Sequence, residues 1–343
     1  MKIRLHTIIA VLLLITAGTL LSGCSVRFSS SGWNTNFLKK EEAKEYILKK
    51  TQVEPISSIE ISTRIADVEL IEADDYYVEI DYLYWLEEPE YSLKNGKLSF
   101  NDNRIMPNSY SINFSINNVI RIYLPEAAAL EKLNIKSASG DVSAASFAAD
   151  DMNIDVAYGD LTVKKASAGD ADITLASGNS RISEFQVSRL SFTNSYGEAF
   201  FGRINSDPSL LPEGRTCDSI DITMSSGDID MEELTVKSLE IKNSYGDITC
   251  EKINAEIFDM ELSSGNLEVS DSDLADTDID SSYGNVSLRL KGEAKDYSLD
   301  IDTSYGNITV DGKKYDGPVN INSNGSRSLN ADLNSGDIRI SFD

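Results

Sequence analysis

The chain has 343 residues, with 31 Lys and Arg against 56 Asp and Glu, one His and three Cys. A formal charge of −25 argues against nucleic acid as a partner, because phosphate binding needs Lys and Arg in excess. The single histidine, His6, lies in a segment expected to be removed, so imidazole triads, Cys-His pairs and His-ligated metals are excluded from the mature chain.

Lys2 and Arg4 precede the apolar run Ile8 to Ile15. This is a positive n-region followed by an h-region too short for a spanning helix. Next comes Leu21-Ser22-Gly23-Cys24, which resembles the lipobox of bacterial lipoprotein precursors. The resemblance implies cleavage after Gly23 and a diacylglyceryl group on Cys24. The membrane is then a partner through that anchor, and the location is extracytoplasmic. Two acyl chains hold stably where one is marginal. Residues 1–23 are thus expected to be a lipoprotein signal peptide and residues 24–32 a Ser-rich tether. A short capping helix is expected over residues 33–55, with Asn34, Thr35 or Asn36 as N-cap and Glu45 and Lys49 spaced i, i+4.

From residue 131 onward a turn signal repeats. Gly140, Gly159, Gly178 and Gly197 are 19 residues apart, as are Gly227, Gly246, Gly265 and Gly284; Gly306 and Gly336 follow at wider steps. The residue before each of the first eight alternates between serine and tyrosine, from Ser139 and Tyr158 to Ser264 and Tyr283. Within each unit the apolar residues step by two inside a cluster and by three between clusters. After Gly246 they are Ile248, Cys250, Ile253, Ala255, Phe258, Met260 and Leu262. A step of two is a strand with one face inward, and a step of three turns a corner. Each unit therefore reads as three short strands, and stacked units share one core. The fold class is all-β: a three-sided parallel β-solenoid, or β-helix, with 19-residue coils about 4.8 Å apart. Glycine sits at the sharpest corner, and the Asp or Asn after it is placed to bond neighbouring backbone.

The frame extends upstream in degraded form over residues 56–130. There Ala66 stands for Gly, and Val78, Ile80 and Tyr82 fall on the third inward cluster. Leu93-Lys94-Asn95-Gly96-Lys97-Leu98 is a hairpin signal. Residues 131–343 hold the regular array, with about eleven residues inserted near Asn205–Cys217 and again near Gly312–Asn322, where solenoids place specificity.

The residues Ile122 to Pro125, Leu133-Asn134-Ile135 and Ser139-Gly140-Asp141-Val142 together resemble the bacterial "putative adhesin" family of secreted or lipid-anchored β-solenoids. The resemblance covers roughly residues 56–343. It implies the solenoid fold and an adhesive role, and it brings no catalytic residues.

Four constellations are candidates for chemistry. The column Asp141, Asp160, Asn179, Asp228, Asp247, Asn266 and Asn285 is read as turn capping in preference to a Ca²⁺ stripe. Cys250 is read as a small core residue, with a Cys217–Cys250 disulfide as the lesser alternative. Trp33, Trp85, Tyr82 and Tyr84 are read as end-cap packing rather than a sugar platform. Carboxylate pairs are too numerous for proximity to mark a glycosidase. No catalytic, cofactor or metal residue is assigned, and the only site residue is the lipidated Cys24.

The expected function is a non-enzymatic, lipid-anchored cell-envelope rod, adhesin-like or scaffolding, with a cell-wall, surface-polymer or protein partner. The alternatives are a polysaccharide-active β-helix enzyme and an envelope sensor that partners a membrane protein.

Overall fold

The computed structural model describes residues 36–38, 43–85, 87–102, 110–112, 117–126, 128–207 and 216–343. The signal peptide, Cys24, the tether and Trp33 lie outside the described residues. Among the described residues the elements are β-strands and one 3-10 turn, Ala294–Asp296.

The three-sided parallel β-solenoid is present. Successive units pair in parallel, one coil apart: Ile173 with Phe192, Ile241 with Met260, Ile248 with Leu267. Counting from each glycine, pairing breaks at the sixth and tenth residues, as on either side of Lys165 and of Gly169. These two positions and the glycine are the three corners. The inward set is the one the spacing predicts. Ile248, Cys250, Ile253, Ala255, Phe258, Met260 and Leu262 are all buried, while Thr249, Asn254 and Glu261 face solvent. A single apolar core runs from Ile56 to Ile340.

The two sharp corners obtain their shape differently. At the first, nine glycines from Gly140 to Gly336 have φ between 131° and 147°. A Cβ on Gly246 would lie 2.1 Å from the carbonyl oxygen of Gly227, one coil below, and the same collision recurs up the column. At the second, the left-handed conformation falls on Ser146, Lys165, Glu184, Arg203, Glu233, Lys252 and Asp271, with φ of 51–58°. Each costs about 1–2 kcal/mol relative to a right-handed residue. No glycine marks this corner in the sequence.

Chain order and axial order part company at both ends. The first coil, formed by Ser58–Thr63 and Ala66–Ala73, is not the outermost. It lies between Ala128–Ser137 with Val142–Ala145 on one side and Lys97–Asn101 with Asn118–Pro125 on the other. Val78, Ile80 and Tyr82 are buried, but their strand, Tyr77–Tyr84, runs antiparallel to Asn118–Pro125 instead of forming a third side. The predicted hairpin is present: Glu90–Lys94 meets Lys97–Asn101 through Asn95 and Gly96, both at positive φ.

Within the span 33–55, where a capping helix is expected, the described residues Lys44–Gln52 form a strand instead. Lys44–Gln52 pairs antiparallel with Tyr77–Tyr84. The Glu45/Lys49 spacing suggested a helix, but Tyr46 and Leu48 are the residues turned toward the core, and that period is two. The edge of Tyr77–Tyr84 that faces away from Asn118–Pro125 supplies ladder partners that a helix would not satisfy.

At the other end, residues 312–322 are not a loop inserted into the array. Ile308–Val310 and Lys313–Tyr315 form a hairpin, and Val319–Ile321 runs antiparallel to Tyr297–Tyr305. The chain then turns back. Arg327–Ser335 enters between Leu267–Tyr283 and Tyr297–Tyr305, and Ile338–Phe342 enters between Val286–Leu290 and Ile308–Val310. Both ends thus finish in antiparallel strands, which blunt the open edges.

The corners differ in what they tolerate. Gly246→Ala should cost about 3 kcal/mol or more, combining a glycine-only φ with a backbone collision. Lys252→Gly should change stability by less than about 1 kcal/mol, because relief of strain offsets added unfolded-state freedom. Thermal melts of the two variants decide this, and equal losses would refute the assignment of corners.

Removing Gly246–Ser264 excises one whole coil and should leave a cooperative melt. Removing Gly246–Ala255 sets strands against corners and should abolish cooperativity by circular dichroism. A cooperative melt of the shorter deletion would refute the coil frame.

Candidate functional site

The corner glycines organise the surface around them. Where the residue after the glycine is Asp or Asn, it accepts a backbone N–H from the next coil. Asp160 N–H donates to Asp141 Oδ1 at 2.8 Å, Asn179 N–H to Asp160 at 2.8 Å, and Asn266 N–H to Asp247 at 2.7 Å. The ladder continues through Asn285 and Asp337 to Asn307. These side chains cap turns. Inside the same corner Asn194 and Asn243 are buried and donate to the carbonyls of Gly178 and Gly227, 3.0 and 3.1 Å away.

The residue before each glycine points outward. Tyr158, Tyr196, Tyr245, Tyr283 and Tyr305 are between 55% and 79% exposed, although each is a large ring on a well-packed rod. In the chain the alternation fails after Tyr283, since Tyr305 precedes Ser335. In space it holds, because Ser335 pairs with both Tyr283 and Tyr305. Sequence alone shows eight alternating positions; the strand insertion extends the alternation to ten.

Next to this column, toward the preceding strand, is a depression of about 340 Å³. Glu261, Ser263, Asp280, Ser282, Asp332 and Asn334 line it. It belongs to a wider acidic face. Asp221, Glu240, Asp259 and Asp278 pair in direct register from coil to coil. Burial and then the charges of Asp278 and Glu240 hold the Asp259 carboxyl above its usual range, and burial and Glu240 do the same for Asp221.

The second corner has the opposite electrostatics. Its charges alternate along the rod through Lys165, Glu184, Arg203, Glu233, Lys252 and Asp271. Arg203 meets Glu184 at 2.6 Å and Arg289 meets Asp271 at 3.0 Å, so charge there is spent internally. A depression of about 500 Å³ beside this corner contains Phe200. Its ring is not a free platform: the Arg181 guanidinium lies 3.9 Å from the centroid, and the ring rests over Gly202.

The other sequence candidates resolve as follows. Cys217 and Cys250 are free thiols; Cys250 is a core residue whose thiol burial pushes up to about 12. Tyr82 is buried and donates to Asp102, so it is no part of a surface platform, while Lys44 lies over the Tyr84 ring at 5.9 Å. Among the described residues no group of three or more His, Cys, Asp or Glu is placed to hold a metal ion. Nor is any helix among them long and apolar enough to cross a membrane.

A family model described as Toastrack DUF4097 matches residues 56–206 and 209–343. The chain belongs to the Toastrack DUF4097 family. Among solved structures it is similar to a "putative adhesin" of Parabacteroides distasonis, at 12% identity, 89% of this chain, 100% of that one and a TM-score of 0.36. It is also similar to a "putative adhesin" of Bacteroides fragilis (11%, 89% and 99%, TM-score 0.35). A "putative lipid binding protein" of Parabacteroides distasonis is a third (13%, 90% and 100%, TM-score 0.34). No curated protein matches the chain. The Toastrack match covers both the irregular coils and the regular array.

The acidic face of this Toastrack chain has a pH signature. The raised carboxylates destabilise the fold when ionised, so the stability they withhold is present at low pH and lost as pH rises through their folded pKa values. Asp259→Asn should raise the melting midpoint at pH 7, since one like-charge cross-strand contact is worth about 0.2–1 kcal/mol before solvent screening. The gain should vanish below the carboxylate range. An unchanged midpoint at pH 7 in low salt would count against the repulsion.

Proposed function

We propose that this protein is a non-enzymatic, lipid-anchored rod of the cell envelope that binds an extended partner along its side, as an adhesin does. The carrying observation is the tyrosine column. Five rings remain exposed at one corner, at every second coil, and keep that alternation where chain order would break it. A ring used only for packing would be covered, and exposed aromatic surface on a folded rod marks contact with something else. The lipobox residues Leu21 to Cys24 support the anchor, and the acidic exterior favours a soluble rod standing off from anionic surfaces. The carboxylates of the acidic face form an evenly spaced row rather than an isolated pair in a cleft, which supports a binding role over hydrolysis.

Two measurements test this. Cys24→Ala should abolish fatty-acid labelling and either release the chain or leave an uncut precursor; continued labelling with membrane retention would sink the anchor. Full-length chain in detergent should co-sediment with insoluble envelope material, and Tyr196→Ser/Tyr245→Ser/Tyr283→Ser should weaken this without lowering the melting midpoint. Undiminished sedimentation of the triple variant would remove the tyrosine column from the binding surface.

A further inference from the structure

Resting on that reading, we infer that the tyrosine column and the groove beside it bind an uncharged, extended β-1,4-linked polysaccharide, one tyrosine stacking on every second sugar. Three observations carry the assignment.

The first is spacing. Tyr245 pairs with Ser264, Ser264 with Tyr283, Tyr283 with Ser335 and Ser335 with Tyr305, so neighbouring rings stand two strands apart. Two parallel strands span about 9.6 Å. An extended β-1,4-linked chain turns each sugar over relative to the last, and its two-sugar repeat is nearly this length. Equivalent sugar faces therefore arrive close to two or three successive tyrosines. Glycans that coil do not meet this condition.

The second is the chemistry beside the rings. The depression lined by Glu261, Ser263, Asp280, Ser282, Asp332 and Asn334 adjoins Tyr283 and its neighbours. Carboxylates and hydroxyls in a row accept and donate to sugar hydroxyls while the rings take the apolar C–H faces; aromatic surface with a few convergent polar groups is the general make-up of a ligand site. On the other flank the Asp and Asn ladder spends one oxygen of each side chain on backbone N–H groups, which fixes those side chains in place.

The third is charge. With 56 acidic residues against 31 basic ones and the carboxylates concentrated on the adjoining face, a polyanion is repelled. A polyanion is thus excluded, and the uncharged chains that meet the spacing are a β-1,4-linked glucan and an N-acetylated β-1,4-linked hexosamine chain.

The test uses full-length chain in detergent, with cello-oligosaccharides and chito-oligosaccharides of increasing length as probes and isothermal calorimetry as readout. Affinity should rise at least about tenfold as the probe grows long enough to span a second and then a third ring, because linked contacts act together. Which of the two series binds identifies the sugar. An α-1,4-linked oligosaccharide and a polyuronate should bind weakly or not at all.

The decisive variant is Tyr245→Ser/Ser264→Tyr. It keeps the number of tyrosines and uses only residues the column already contains, but it breaks the even spacing. It should lose the length-dependent gain while melting like the wild type. Full retention of affinity by this variant would overturn the spacing argument. Envelope binding that stays tyrosine-dependent while both oligosaccharide series fail would overturn the glycan assignment and leave the adhesive reading standing. Sedimentation velocity closes the remaining route: if Tyr245→Ser/Tyr283→Ser changes only self-association, the column is an interface between copies and the inference is wrong.

Discussion

From Gly159 onward each coil is laid on its neighbour with a glycine Cα against a glycine carbonyl. A Cβ at these glycines would come within 1.6 to 2.2 Å of that oxygen, so no other residue fits there. This contact fixes the spacing of the coils and the positive φ of the turn. It also aims the flanking side chains outward in two straight columns. The capping ladder and the tyrosine column are therefore both consequences of one steric rule. At the first-synthesised end the corner takes residues with a side chain, Ala66 and the Asn118 that pairs with it, and neither is among the positive-φ residues.

Within that frame the core is filled by exchange between layers rather than by a fixed residue at each offset. Phe185 sits one coil from Ala166 at the same position, and Phe192 packs edge to face on Phe201 at 5.1 Å. A large ring in one coil is matched by a small residue in the next or by a perpendicular ring. Serine and tyrosine at the corner follow the same logic on the outside, a large ring next to each small hydroxyl. That logic does not explain exposure of more than half of each ring.

The regular array was legible because its two signals, the glycine period and the step from two to three, are local. The ends were not, since strand order there depends on pairing between distant segments. Nothing near residues 327–342 shows that they lie beneath residues 297–310. Lys44–Gln52 carried a weak helical spacing, and the edge it completes belongs to residues some thirty positions later. The second corner was marked by its step of three but not by its conformation, because lysine, glutamate and arginine give no hint of positive φ. The tyrosines were visible as a pattern; their straight alignment through Ser335 required the structure.

The inserted coil at the far end has a consequence for how the rod is made. Most of the array can grow by adding each new layer to the last as it leaves the ribosome or translocation channel. Residues 327–342 are synthesised after the strands above and below them and have to enter a slot between the two. Until they do, two sheet edges face each other across a gap one strand wide, each able to pair with any passing strand. The slot turns the last step of assembly from addition into closure. A rod shortened upstream of Arg327 would keep its cap sequence but leave that gap unfilled, and would present quality-control proteases with an open seam rather than a finished end.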